Sequence, residues 1–166
     1  MRISTTVVVL LLIATATAGR AVAQTPAAPP VRPPYGTPVT LAQARSIAAA
    51  AESEARRNGW RMAVAIVEPT GDLVLFERLD DTQYGSIQIA QTKARAAALY
   101  RRPTKEMADG VQSGAGLGIV TAPGAIALAG GIPIVIDGKI VGAIGVSGGT
   151  SDQDAQAATA GLAAAK

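Results

Sequence analysis

The sequence of 166 residues contains no cysteine and no histidine. Without cysteine, the chain forms no disulfide, has no thiolate nucleophile and cannot hold zinc or an iron–sulfur cluster through sulfur. Without histidine, it lacks the base of a Ser-His-Asp triad and the side chain that most often ligates catalytic metals. The two absences exclude the commonest hydrolases and metal centres.

Aromatic and charged residues are also scarce. Aromatic residues make up 3% of the chain and charged residues 16%, against the ~25% charged that is usual in soluble domains. The apolar volume must therefore come from alanine, valine, isoleucine and leucine. At this length, one domain is expected.

The N-terminus has the pattern of a secretory signal peptide. A short basic start precedes an apolar run over residues 3–18, and Ala21-Val22-Ala23 matches the A-x-A signal before Gln24. The run is shorter than the roughly 20 residues that cross a bilayer. We expect residues 1–23 to be cleaved, leaving a periplasmic or secreted protein without a membrane span.

A proline-rich segment follows the cleavage site. Residues 24–38 contain six prolines and are predicted to form an extended linker or an exposed arm. The folded domain is expected over residues 39–166. Cleavage lowers the formal net charge from +3 to +1. The basic pairs Arg56-Arg57 and Arg101-Arg102 are expected at helix ends, where cations complement the helix dipole, so no nucleic-acid partner is predicted.

Four helices are predicted, and each follows or starts with a residue that can cap it. They run over about 41–57, 86–101, 104–112 and 150–164. Thr40 and Thr150 each have a glutamine three residues later, which completes a capping box. Ser86 and Thr104 are expected to cap the two central helices.

Two hairpins are predicted between these helices. Strands are expected over about 62–68, 73–78, 132–137 and 139–146, with a further short strand near 125–129. Asp137-Gly138 favours a tight type I′ turn, and Pro69–Asp72 favours another turn. The resulting class is α+β, with a central antiparallel sheet built from two hairpins and flanked by helices.

The second hairpin ends in a G-x-S-x-G motif, Gly145-Val146-Ser147-Gly148-Gly149. This motif marks a nucleophile elbow in some hydrolases, but the chain has no histidine to take the serine proton. A lysine base is the alternative. We expect the glycines to expose backbone N–H groups that bind an anion at the start of the last helix.

Two cations lie in an otherwise small and apolar helix, Lys93 and Arg95. The ordinary interpretation of Lys93 is a stem packed on the helix with its amine at the surface. The alternative is a cation that faces a pocket near Tyr84 and Ser147. Tyr84 and Tyr100 are each candidates for a general acid or for an oxygen ligand to iron.

The paired acids Asp80-Asp81 and Asp152-x-Asp154 could bind a hard cation. Asp152 and Asp154 fall in the first turn of a helix, where solvated carboxylates are stabilised by the dipole. We therefore expect capping there in preference to metal binding. Met62 and Met107 are expected in the core.

Two long blocks resemble the GlcG/HbpS-like family, which also forms the C-terminal domain of PduO-type proteins. They are SIQIAQTKARAAALYRRPT over 86–104 and GGIPIVIDGKIVGAIGVSGGTSDQD over 130–154. The resemblance covers residues 39–166. It implies a profilin- or PAS-like fold, assembly into higher oligomers (commonly octamers), and in some members the binding of haem (heme) or iron beside a sensor protein. Histidine is the ligand expected in several relatives, and this chain departs from that pattern.

The first hypothesis is therefore an exported, oligomeric small-ligand-binding protein with haem as the leading ligand. Its candidate binding residues are Tyr84, Lys93, Arg95, Tyr100, Ser147, Gly148 and Gly149. The alternative is an enzyme, a lyase, isomerase or hydrolase acting on a small organic acid, aldehyde or epoxide. Tyr84, Lys93 and Asp154 would then be its acid–base groups. A third hypothesis is an interaction module that contacts a sensor protein through the proline-rich residues 24–38 or through the surface of the oligomer.

Overall fold

A computed structural model describes residues 30–165. Its elements alternate between helices and two hairpins, in the order that the sequence predicts. They are α1 (Leu41–Arg57), β1 (Ala63–Val67), β2 (Leu73–Arg78), α2 (Gly85–Tyr100), α3 (Thr104–Gln112), β3 (Gly131–Ile136), β4 (Lys139–Ser147) and α4 (Ser151–Leu162). A 3-10 turn, Leu117–Thr121, lies between α3 and β3. The signal-peptide prediction falls outside the described residues.

The four strands form one antiparallel sheet in the order β2-β1-β4-β3. The two hairpins are β1–β2 and β3–β4, and they meet where β1 pairs with β4. In this central pairing Val64 lies opposite Val146, and Ile66 lies opposite Ile144. The predicted α+β class and antiparallel sheet are confirmed.

The two faces of β1 carry side chains of different size. Val64 and Ile66 pack with α1 and α4 in the larger hydrophobic cluster. Ala63, Ala65 and Val67 pack against the alanines of α2 on the opposite face. Small side chains on both sides let α2 approach the sheet closely: a Cβ added at Gly145 would lie 2.1 Å from the Ala90 carbonyl oxygen. The scarcity of aromatics thus reflects a closely packed helix–sheet interface.

Three local predictions are wrong. Residues 125–129 form no strand. The helix α2 begins at Gly85, so Ser86 is a buried helical residue and caps nothing. Thr104 is the first residue of α3 and makes no capping bond. Its hydroxyl instead donates to the Leu128 carbonyl (2.6 Å) and accepts from the Gly131 amide (3.0 Å), which ties α3 to the start of β3.

Part of the proline-rich segment lies along the sheet. The Gly36 amide donates to the Ile140 carbonyl (2.8 Å), and the Ile140 amide donates to the Pro34 carbonyl (2.8 Å). The Tyr35 hydroxyl donates to the Ala98 carbonyl at 3.0 Å. The described residues of this segment are therefore anchored to β4 and α2, while the domain boundary at residue 39 stays a prediction. Among the described residues, no helix is long and apolar enough to span a bilayer.

Candidate functional site

The most unusual feature of the interior is an ion pair between Lys93 of α2 and Asp154 of α4. The Lys93 Nζ atom lies 2.7 Å from Asp154 Oδ2 and donates a second hydrogen bond to the Val146 carbonyl at 3.0 Å. The two side chains are 2% and 4% exposed. The interpretation of Lys93 as a surface lysine is therefore wrong, and so is the expectation of a solvated Asp154.

The pair is placed by elements on opposite faces of the sheet. The helices α2 and α4 cover different faces, and their side chains meet beyond the end of β4. Gly130 makes room for this contact. A Cβ added there would lie 2.8 Å from Asp154 Cβ and 3.1 Å from Lys93 Nζ, and its φ of 115° also disfavours other residues.

Burial dominates the electrostatics of the pair. Burial lowers the pKa of the Lys93 amine, against the hydrogen bond and charge of Asp154, which raise it. Burial likewise raises the pKa of the Asp154 carboxyl, against Lys93 and the backbone N–H groups of Gly149 and Gly148. Both shifts disfavour the charged forms, as expected where two ions leave water.

The glycine turn after β4 does bind an anion, and that anion is the protein's own. The Gly149 amide donates to Asp154 Oδ1 at 2.9 Å. A bound ligand was predicted at this position, and the Asp154 side chain takes its place. Asp154 lies in the first turn of α4, so its carboxylate can reach back to the glycines that precede the helix. The Ser147 hydroxyl is buried and contacts the Ser86 hydroxyl at 3.3 Å. Among residues 30–165, no lysine or carboxylate side chain forms a hydrogen bond with the Ser147 hydroxyl.

The other predicted site residues lie apart from this pair. Tyr84 precedes α2, about 13 Å along the helix axis from Lys93 at 1.5 Å per residue. Its side chain is 81% exposed and its ring lies under the Arg78 guanidinium, 5.4 Å away. The Tyr100 hydroxyl donates to the Pro123 carbonyl at 2.7 Å. The structure therefore brings together Lys93, Asp154 and the Ser147 turn, without either tyrosine.

Arg95 lines a polar groove that we call the turn groove. Four residues of one face of α2 line it together with the turn between β1 and β2. They are Gln88, Gln91, Thr92 and Arg95, and the groove has a volume of about 250 Å³. The Arg95 guanidinium contacts the Gly71 carbonyl at 3.4 Å and lies 3.8 Å from the Asp72 carboxylate.

A second groove, which we call the arm groove, is mainly apolar and has a volume of about 260 Å³. It lies between the anchored proline-rich segment, the end of α2 and the edge of the sheet. Its lining residues are Val31, Arg32, Pro33, Arg101, Pro103, Ile132, Pro133, Val135 and Ile140. The analysis of the sequence missed this site. One signal was present, since edge strand β3 has no polar residue along its length and so presents apolar side chains on both faces.

Two guanidinium groups line the arm groove. Arg32 forms a bidentate pair with Glu106, at 3.1 and 2.7 Å. Arg101 lies over the Tyr35 ring at 5.5 Å, and among residues 30–165 no carboxylate forms an ion pair with it. The groove therefore combines an apolar surface with one cation that has no anionic partner within the described chain.

Metal binding has little support in the described residues. Within residues 30–165 there is no group of three or more acidic, histidine or cysteine side chains that could hold a metal ion. Asp81 of the first acidic pair binds Arg61 at 2.6 Å, and Asp154 of the second binds Lys93. These pairings account for one carboxylate in each predicted pair.

The fold places this chain in the α+β class of proteins, as a domain in which helices cover both faces of a four-stranded antiparallel sheet. The chain belongs to the HbpS-like family: the family model described as haem degrading protein HbpS-like matches residues 39–163.

Several known proteins are similar to this chain. Protein GlcG of Escherichia coli K12 is 45% identical over 113 residues, which cover 67% of this chain and 84% of GlcG. The crystal structure of HbpS is 35% identical with a TM-score of 0.70, covering 77% of this chain and 90% of that one. A crystal structure of a PduOC–haem complex is 28% identical with a TM-score of 0.71, covering 77% and 95%.

Proposed function

We propose that this chain is an exported, oligomeric small-ligand-binding protein whose ligand is a tetrapyrrole, with haem as the first candidate. The arm groove carries the proposal, because it joins an apolar surface to Arg32 and to Arg101, which has no anionic partner among residues 30–165. A porphyrin is a flat apolar ring with two carboxylates on one edge, and such a groove matches both parts. The haem complex of the structurally similar PduOC supports the choice of ligand.

The residues of the arm groove fit the ring and the propionates of haem. Ile132, Pro133 and Val135 would contact the ring, and Arg101 would pair with a propionate. Arg32 would share its guanidinium between Glu106 and the second propionate. The lining includes no imidazole, thiolate, thioether or phenol, so it does not supply a usual ligand for the iron.

Titration of the purified chain with hemin tests this function. Binding is followed through the Soret band and the fluorescence of Trp60, which is the single tryptophan. We expect saturation at a fixed ratio per chain. Arg101→Gln should weaken binding about tenfold, the contribution of one charge-assisted hydrogen bond.

Arg95→Gln is the matched control, because it removes an exposed guanidinium of α2, the helix that ends just before Arg101, from a different groove. Its affinity for hemin should equal that of the parent chain. Weakening by Arg95→Gln with no effect of Arg101→Gln would move the site to the turn groove. Absence of saturable binding would refute the proposed function.

Export and assembly are parts of the same proposal. The signal-peptide pattern supports cleavage, and the mature chain should begin at Gln24, which intact-mass measurement after expression in a secreting bacterium would check. Exposed apolar side chains support association: Leu117 and Val120 are 58% and 62% exposed. Light scattering should give a mass several times that of one chain, and a monomer would contradict this part.

The acid–base alternative rests on the buried pair, because burial shifts both pKa values and shifted pKa values often mark catalytic groups. Neither Lys93 nor Asp154 lines the arm groove or the turn groove, and both side chains are enclosed. A substrate would reach them only after the surrounding elements separated. We therefore favour a binding function over a catalytic one. Loss of turnover in a folded Asp154→Asn variant would support the alternative.

A further inference from the structure

We propose that the arm groove recognises the tetrapyrrole through its ring and propionates and not through iron, so that metal-free protoporphyrin binds about as tightly as hemin. This inference rests on the proposed function, since it concerns the same groove. It adds that the class of ligand includes porphyrins with no metal, or with metals other than iron.

The residues that line the arm groove have no side chain that ligates iron. Seven of its nine residues are aliphatic or proline, and the two polar residues, Arg32 and Arg101, are cations. In proteins a guanidinium is a permanent cation that only donates hydrogen bonds, so it has no lone pair for a metal. These side chains can bury a ring and pair with carboxylates, but they cannot ligate iron.

The tyrosine and methionine side chains that could ligate iron are held by other contacts. Tyr35 lies beside the groove under the Arg101 guanidinium, and its hydroxyl hydrogen is shared between the Ala98 and Leu99 carbonyls at 3.0 and 3.2 Å. The Tyr100 hydroxyl donates to Pro123. Met62 and Met107 are 0% and 2% exposed. Each of these groups would have to leave a packed or hydrogen-bonded position to reach a bound iron.

Histidine, the commonest protein ligand of haem iron, is absent from all 166 residues. A protein that relies on an axial bond to iron loses most of its affinity when the metal is removed from the porphyrin. A groove without such a bond gains its affinity from apolar burial and charge pairing, and both are present in the metal-free ring. The two affinities should therefore be close.

The experiment titrates the purified full chain with three probes: hemin, metal-free protoporphyrin IX and its dimethyl ester. Quenching of Trp60 fluorescence reports all three on one scale. We expect Kd values for hemin and protoporphyrin IX within about threefold of each other. The corresponding difference in binding free energy is smaller than one coordinate bond to iron would contribute. The dimethyl ester, which has no charged propionates, should bind at least about tenfold more weakly.

The outcomes separate the inference from the function on which it rests. If hemin binds more than about thirtyfold tighter than protoporphyrin IX, a protein ligand to iron exists and the inference is overturned while the proposed function stands. If neither porphyrin saturates, the proposed function fails. If the dimethyl ester binds as tightly as the free acid, recognition of the propionates is refuted.

Arg101→Gln provides the second measurement. It should weaken hemin and protoporphyrin IX by the same factor and leave the dimethyl ester unchanged, since only the free acids offer a carboxylate to that guanidinium. Arg45→Gln, which removes an exposed guanidinium of α1 that lines neither groove, should change none of the three affinities. A factor that differs between the two free acids would show that iron takes part in recognition and would overturn the inference.

Discussion

Removal of the Lys93 amine tests whether the buried pair stabilises the domain. In Lys93→Met, Asp154 Oδ2 loses its partner while the carboxyl stays enclosed, and the Val146 carbonyl loses a donor. Leaving one member of a buried pair uncompensated costs about 3–5 kcal/mol. This is a large fraction of the roughly 5–15 kcal/mol that stabilises a domain, so marked destabilisation is expected.

Urea denaturation at a fixed protein concentration, followed by Trp60 fluorescence, measures this loss as a change of midpoint at constant slope. Lys105→Met is the matched control. Lys105 also pairs with an aspartate at 2.7 Å, but its side chain and that of Asp109 are more than half exposed. The control should cost less than about 1 kcal/mol. Equal losses in the two variants would refute the argument from burial.

The double variant Lys93→Met/Asp154→Leu isolates the cause of the loss. If desolvation of the unpaired carboxylate causes it, removing both ions should cost less than removing Lys93 alone, because apolar replacements of a buried pair are often neutral. A double loss equal to the sum of the single losses would show that the two residues do not interact energetically.

The loss in Lys93→Met should depend on pH with a definite sign. Burial raises the pKa of Asp154, and the variant also removes the amine that lowers it. The folded pKa then exceeds the unfolded value of about 3.9, so the contribution to stability is present at acidic pH and lost as pH rises through the folded pKa. The gap between the variant and the parent chain should therefore be smaller at about pH 4 than at about pH 8. A gap that is equal or wider at the lower pH would contradict the shift.

Two further changes test packing and surface charge. Gly145→Ala places a Cβ 2.1 Å from the Ala90 carbonyl oxygen and should cost about 3 kcal/mol in thermal unfolding, whereas Gly85→Ala meets nothing within 4 Å and should be nearly silent. Equal effects would refute the close approach of α2 to the sheet. Two causes raise the pKa of Glu77: the hydrogen bond with the Glu52 side chain is the larger, and burial is the smaller. The free energy of unfolding therefore falls as the pH rises through the folded-state pKa of Glu77. Glu77→Gln should therefore lose less stability than the parent chain between about pH 4 and pH 7 in melting curves. An unchanged pH dependence would contradict this assignment.

The fold was largely predictable because its signals are local. The capping boxes at Thr40 and Thr150 form as predicted, since three residues suffice to make them. The Asp137-Gly138 turn also closes the second hairpin as predicted. The prediction that Ser86 and Thr104 cap helices was wrong, because their hydroxyls form hydrogen bonds with residues distant in sequence, Ser147 and Leu128. A hydroxyl near a helix start satisfies a capping pattern whether or not a tertiary partner competes for it.

The candidate site was predictable only in part. Lys93, Asp154 and the Ser147 turn were each identified from residue type. The contact between Lys93 and Asp154 was not predictable, because the two residues lie on different helices and are 61 positions apart in sequence. Tyr84 and Tyr100 were included as candidates from residue type and from the family resemblance, but they lie at opposite ends of α2, and a helix of this length separates its two ends. The arm groove was missed, since three separate segments form it.

The sequence by itself determined the elements, the turns, the small-residue core and the absence of sulfur and imidazole ligands, because each of these depends on residue identity or on spacing within a few positions. Only the tertiary structure decided how the hairpins meet, that Asp154 fills the anion-binding turn, and that Arg101 borders an apolar groove. Those features depend on the pairing of β1 with β4 and on the packing of helices over both faces of the sheet. Hydrophobic burial drives that packing without direction, so local patterns do not specify which distant side chains meet.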